Sequence, residues 1–236
     1  MAIDRLPRAP RAATRDACDW KQTEPRSAPG KQVAAAGWGV TNDLAVGRFQ
    51  AVSFAGSFDP GTSGSCEIRD GNVAIFDGGH LIALAYVRRS TARSIGFAAP
   101  LEGGALRLWD GDILPQPLAD IRISKARMTV GPVAAADRVC GGKAVVPNIY
   151  GQPINKARIA LQAHGWTPVP GGTSINRTDP REAELARRGV PEVTGCSGTG
   201  FGFCAFEYQR QGATLSVTTA GEDMFPSVSA YNADCG

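Results

Sequence analysis

From Gly37 to Cys140, apolar residues come in short runs interleaved with polar ones: RFQAVSF (48–54), CEIR (66–69), NVAIF (72–76), LIALAYV (81–87), ALRLW (105–109), ADIRIS (119–124) and RMTV (127–130). Such runs, with a period near two, are what a strand with one buried face requires. Between them stand RDGN at 69–72, DGGH at 77–80, EGGA at 102–105 and WDGD at 109–112. Asp-Gly and Gly-Gly supply the positive φ angles of tight hairpin turns. The stretch therefore predicts roughly seven or eight antiparallel strands in a small sandwich or barrel.

At Ala144 the period changes. In AVVPNIYGQPINKARIALQAHGWTPV (144–169), Pro153 suits a first helical turn. Ile154, Ala157, Ile159, Ala160 and Leu161 give an apolar stripe and Gly165 a stop, predicting strand, helix, strand. A second helix is predicted over DPREAELARRG (179–189), with Asp179 as N-cap, Pro180 at its first position and Gly189 as terminator. Strands return at FCAFEYQ (203–209), ATLSVTTA (213–220) and SVSAY (227–231). Residues 1–35 mix Arg, Pro, Ala and Ser without period and bury too little apolar surface to offset their ordering entropy. The expected fold class is thus mainly β with a C-terminal α+β part. A disordered basic segment (1–35) precedes an antiparallel β domain (36–142), a sandwich or barrel, and an α+β domain (143–236).

Charge sharpens this picture little. The net charge is +3, and residues 1–32 carry all of it, with seven Lys/Arg against four Asp/Glu. The remaining 18 of each sign cancel, and a neutral body lacks the electrostatic footprint that nucleic-acid binding needs. Cysteine usage changes more. Six cysteines with only two histidines and no CxxC fit disulfides better than a zinc cage, and disulfides imply an oxidising compartment. The opening MAIDRLPRAPRAATRDACDW has no apolar core of about 7–15 residues. We therefore expect a mature exported chain, periplasmic or secreted. No apolar stretch approaches the ~18 residues of a transmembrane helix. Spacing pairs Cys196 with Cys204; placing Cys66 and Cys140 in one β domain pairs them, which leaves Cys18 with Cys235 near the termini.

Candidate chemistry is sparse. TGCSGTGFGFC (194–204) is glycine-rich, but its glycines alternate and a strand pattern follows, whereas a dinucleotide loop needs a helix there. It reads instead as a disulfide-closed hairpin, stabilised by roughly 2.5 kcal/mol through chain entropy, with Phe201 and Phe203 near its tip. GGKA (141–144) lacks the upstream glycine and hydroxyl residue of a P-loop, and neither G-x-S-x-G nor S-x-x-K occurs. His80, His164 and the acid pairs Asp110/Asp112 and Glu222/Asp223 fall at turns or a helix end, where structural roles suffice. No catalytic residue, cofactor or metal site is assigned, and no enzyme is expected.

One stretch carries a likeness to a known family. VVPNIYGQPINKARIALQAHGW (145–166) resembles the start of a PASTA domain: a strand ending in Val-Pro, a glycine four residues on, then a helix with Ala and Leu four apart, closed by glycine. Val146, Pro147, Gly151, Ala157, Leu161, Gly165 and Trp166 carry it. The resemblance implies an envelope setting and a non-catalytic binding role, towards peptidoglycan or an envelope protein. Trp166, just past the helix stop, either completes the core beneath the helix or forms a surface platform for a sugar or peptide. A competing reading is a secreted inhibitor that presents the 196–204 loop, with Phe201 and Phe203 exposed at its tip, to an enzyme cleft. An enzyme of unrecognised type is the third.

Overall fold

The alternating runs fold as strands in a computed structural model that describes residues 5–10, 17–87, 93–124, 127–171, 179–198 and 200–236. Two units divide at Val133/Ala134, nine residues before the boundary read from the sequence.

In the first unit the strands are β1 (Gly39–Val46), β2 (Phe49–Ala55), β3 (Ser57–Pro60), β4 (Cys66–Arg69), β5 (Asn72–Asp77), β6 (His80–Tyr86), β7 (Ile95–Leu101), β8 (Ala105–Asp110), β9 (Pro117–Ser124) and β10 (Arg127–Gly131). They form two four-stranded antiparallel sheets, ordered β1-β2-β5-β6 and β10-β9-β8-β7, plus a separate β3-β4 hairpin. Neither sheet closes on itself, so of the two predicted architectures the sandwich is the one formed. Ala51 and Val73 of the first sheet pack with Ala98, Leu106 and Ile121 of the second. Their neighbours in sequence, Val52 and Ala74, point the other way and join Phe54, Phe76 and Trp38 under a helix, as a period of two demands. Side chains of the first sheet satisfy the outer edge of β7: Thr41 Oγ1 donates to the Gly96 carbonyl (2.8 Å), Asn42 Nδ2 to that of Ala98 (3.1 Å), and the Ala98 amide to Ser53 Oγ (2.8 Å).

That helix, α1 (Ala28–Ala35), lies inside the segment expected to be disordered. Ser27 caps it, its Oγ accepting the Gly30 amide (2.9 Å). Asp43 of β1 then accepts from both the amide and hydroxyl of Ser27, from the Arg26 amide and from Gln50 Nε2. Burial raises the Asp43 carboxyl, but these hydrogen bonds together hold it below its ordinary value. Val33 buries completely against the sheet, and Cys18, also in the expected disordered segment, is buried with Phe58 and Ile68. A few well-placed contacts order what composition alone marks as unstructured.

In the second unit β11 (Ala136–Val139) and β12 (Ala144–Pro147) form a hairpin. After them come α2 (Ile154–Ala163), β13 (Thr167–Pro168), α3 (Pro180–Arg187), β14 (Val193–Cys196), β15 (Cys204–Arg210), β16 (Ala213–Ala220) and β17 (Ser227–Asp234). The sheet runs β13-β15-β16-β17, with β14 also on β15. Ile154, Ala157 and Leu161 of α2 bury as predicted, while Ile159 is exposed, off the buried stripe. Asp179 caps α3 by accepting the Arg181 and Glu182 amides.

Three disulfides close the chain: Cys18–Cys66, Cys140–Cys235 and Cys196–Cys204. Two expected pairings, Cys66–Cys140 and Cys18–Cys235, are therefore corrected. Cys140 sits in the β11–β12 turn and so belongs to the second unit with Cys235, while the folded N-terminal segment carries Cys18 to β4. Among the described residues no helix is long and apolar enough to cross a membrane.

Candidate functional site

Asp70-Gly71 and Asp110-Gly111, which read as hairpin turns, are crossing points. Neither glycine has a positive φ. A Cβ on Gly71 would lie 1.5 Å from the Ile95 carbonyl oxygen, and one on Gly111 1.9 Å from that of Ile68, so only glycine lets these backbones meet. The contact is hydrogen-bonded throughout: Ile68 N–H to Gly111 O (2.7 Å), Gly111 N–H to Ser94 O (2.9 Å) and Gly71 N–H to Ser94 Oγ (3.0 Å).

This crossing forms one side of a cavity of about 890 Å³ within the first unit, inside the ~300–1,000 Å³ range of small-molecule sites. Trp38, Leu84 and Pro7 give it an apolar wall, with Tyr86 at its edge. Arg8, Arg69 and Arg93 line it together with Glu67, Asp70, Asp110 and Asp112. Arg69 is forked between Glu67 (2.7 Å) and Asp59 (3.6 Å). Asp110 is nearly buried, and its Oδ1 accepts the amides of Gln116 (2.9 Å) and Asp112 (3.4 Å). Burial raises its carboxyl above the ordinary value; the amide bonds and the Arg93 charge pull the other way, and the Asp112 charge adds to the rise. A second cavity of about 210 Å³ shares Ile68, Asp110 and Asp112 and has Trp20 in its lining.

The residues singled out from sequence lie elsewhere, in the second unit. Trp166 is fully buried, and its indole N–H donates to the Val145 carbonyl (2.8 Å). It completes the core under α2 and offers no ring face to a ligand. Cys196 and Cys204 are direct register partners joined by the expected disulfide. Phe201 and Phe203, expected to be exposed at the loop's tip, are instead half-buried, because each ring packs edge to face on the other, 5.8 Å between centroids. The Phe201 carbonyl accepts the Gly221 amide (2.8 Å), and the Arg181 guanidinium holds the Gly221 carbonyl. Glu182 of α3 accepts the Cys196 amide (3.0 Å). Deeper, Glu192 accepts from Arg158 (2.9 Å) and Tyr208 (2.7 Å); burial, then the Glu192 charge, push the Tyr208 phenol far above its ordinary value.

Sequence reading missed the cavity because Tyr86, Trp20 and Arg93 stand in unremarkable local patterns. The one local trace is at Gly71: Asp70-Gly71 joins β4 to β5, which do not pair with each other, whereas Asp110-Gly111 joins β8 to β9, which do. Among the described residues no cluster of three or more His, Cys, Asp or Glu forms a metal site. Compared with known proteins, the chain matches no family, no curated sequence and no solved structure.

Proposed function

We propose that this is a non-catalytic binding module of the bacterial cell envelope, with its ligand, peptidoglycan or an envelope protein, seated in the large cavity of the first unit. The cavity carries the reading. It has the size and mixed apolar and polar lining of a ligand site, and two of its polar groups serve the fold: Ser94 holds Gly71 and Asp110 holds the following turn. Three disulfides support an oxidising, non-cytoplasmic setting, and the likeness of residues 145–166 to a PASTA domain supports the envelope.

The test is co-sedimentation with purified peptidoglycan and with envelope membranes. Pelleting that is lost on Tyr86→Ala supports the reading. Absence of pelleting with both, or pelleting indifferent to cavity substitutions, overturns it. A second reading, inhibition of an enzyme by the 196–204 loop, is favoured by one observation: the loop is closed at its base by a disulfide and pinned near its tip through Phe201 and Gly221. A loop ordered before binding loses little entropy on docking. Phe201→Ala would then abolish binding without touching the cavity.

A further inference from the structure

We infer that the ligand of the first unit's cavities is a neutral sugar chain bearing acetamido groups, held between two exposed aromatic rings; this rests on the reading of that cavity as the binding site. Tyr86, 60% exposed, borders the larger cavity, and Trp20, 57% exposed, borders the smaller. An exposed Tyr or Trp beside a cavity presents an apolar ring face together with a polar handle, the combination that serves a binding surface. The two cavities share Ile68, Asp110 and Asp112 in their linings, so the two rings stand at adjoining cavities on either side of the same three residues.

The chemistry of the larger cavity's lining selects among ligands. Three arginines stand with four carboxylates, nearly balanced in charge; Arg69 is paired with Glu67 and Asp59, and Asp110 Oδ1 accepts two backbone amides. What remains is a set of fixed, directional donors and acceptors with little net charge. An ionic ligand gains little from such a set, whereas the hydroxyls of a sugar can donate to carboxylates and accept from guanidinium groups alike. Sugar rings present an apolar C–H face that stacks on an aromatic ring and an edge of hydroxyls that reaches carboxylate and guanidinium groups. The apolar wall of Trp38, Leu84 and Pro7 suits an acetamido methyl.

The probe is chitohexaose, a neutral chain of β-1,4-linked N-acetylglucosamine, titrated by calorimetry and by the change in tryptophan fluorescence that is present in the parent and absent in Trp20→Ala. Affinity should rise with chain length from the dimer to the hexamer. Trp20→Ala and Tyr86→Ala should each weaken binding about tenfold, the loss of one stacking contact, with unchanged thermal midpoints because both rings are exposed. Tyr86→Phe should retain affinity. Absence of chitohexaose binding, or binding unaffected by both alanine variants, overturns the sugar assignment. Binding of a soluble wall stem peptide instead does the same. If intact wall or membranes still pellet the protein in a Tyr86-dependent manner, the binding-module reading survives that failure; if they do not, both fall.

Discussion

Each unit carries one long-range disulfide, and the two serve different ends. In the second unit Cys140–Cys235 ties the first hairpin to the end of the last strand, closing a core built of α2, α3 and one sheet around Trp166, Tyr208 and Phe206. In the first, Cys18–Cys66 draws an irregular segment onto β4. That segment supplies Pro7, Arg8 and Trp20 to the cavities. One bridge completes a packed core; the other shapes an opening. On the proposed reading of the cavity, the bridge that closes the longer ring is not the one that shapes the binding site.

Removal of the bridges tests this most strongly. The Cys140–Cys235 ring spans 95 residues and the Cys18–Cys66 ring 48, for which chain entropy gives roughly 4.7 and 4 kcal/mol. Paired Cys→Ser variants should therefore lose stability in that order under guanidinium. Ligand capture should show the reverse: retained at low temperature without Cys140–Cys235, lost without Cys18–Cys66. Capture that survives loss of Cys18–Cys66 would break the comparison.

Next comes Trp166→Ala, expected to destabilise the second unit by about 3–5 kcal/mol, because a fully buried indole and its hydrogen bond to Val145 are both lost. Ligand binding by the folded fraction should be unchanged. A thermal midpoint equal to the parent's would contradict the buried placement.

Smaller again is the Cys196–Cys204 bridge. Its sequence separation of 8 gives about 2.5 kcal/mol. The backbone ties through Glu182 and Gly221 remain without it, so the reduced loop should keep its form. Hydrogen exchange at Cys196 and Gly221 measures this: protection that survives reduction sharpens the view that the second unit is held by packing more than by covalent closure.

Legibility followed the range of the interactions. In the second unit the informative contacts are local: the i, i+3, i+7 spacing of Ile154, Ala157 and Leu161 places α2, Asp179 and Gly189 bound α3, and nine residues define the disulfide hairpin. In the first unit the strands with clean alternation were legible, but β1, β3 and β7 were not. β7 reads IGFAAPL, with a glycine and a proline, because Gly96 must pass close to the Asp110 carbonyl and Thr41 and Asn42 side chains replace a partner strand. The cavity arises where chain segments far apart in sequence cross, so no local pattern announces it. The mistaken cysteine pairs have the same origin, since a boundary set nine residues late put Cys140 in the wrong unit.

The smallest expected effect concerns how each unit seats its first helix. The buried face of α2 is apolar, Ile154, Ala157 and Leu161, whereas α1 is seated through Asp43, whose carboxylate takes four hydrogen bonds from Arg26, Ser27 and Gln50. The folded Asp43 carboxyl lies below its ordinary value, and a depressed carboxyl contributes stability that is present above the unfolded value, near 3.9, and lost as pH falls through the folded one. Asp43→Asn keeps one acceptor oxygen and the shape but removes the charge. At pH 7 it should destabilise the first unit by about 1–2 kcal/mol, and the gap to the parent should close as pH falls well below 3.9. Denaturant titrations at pH 7 and at low pH measure it, with hydrogen exchange at Val33 reporting on α1 and at Leu161 on the second unit. A gap that is the same at both pH values would show that α1 is held by its apolar contacts alone, as α2 is, and the contrast between the two helices would vanish.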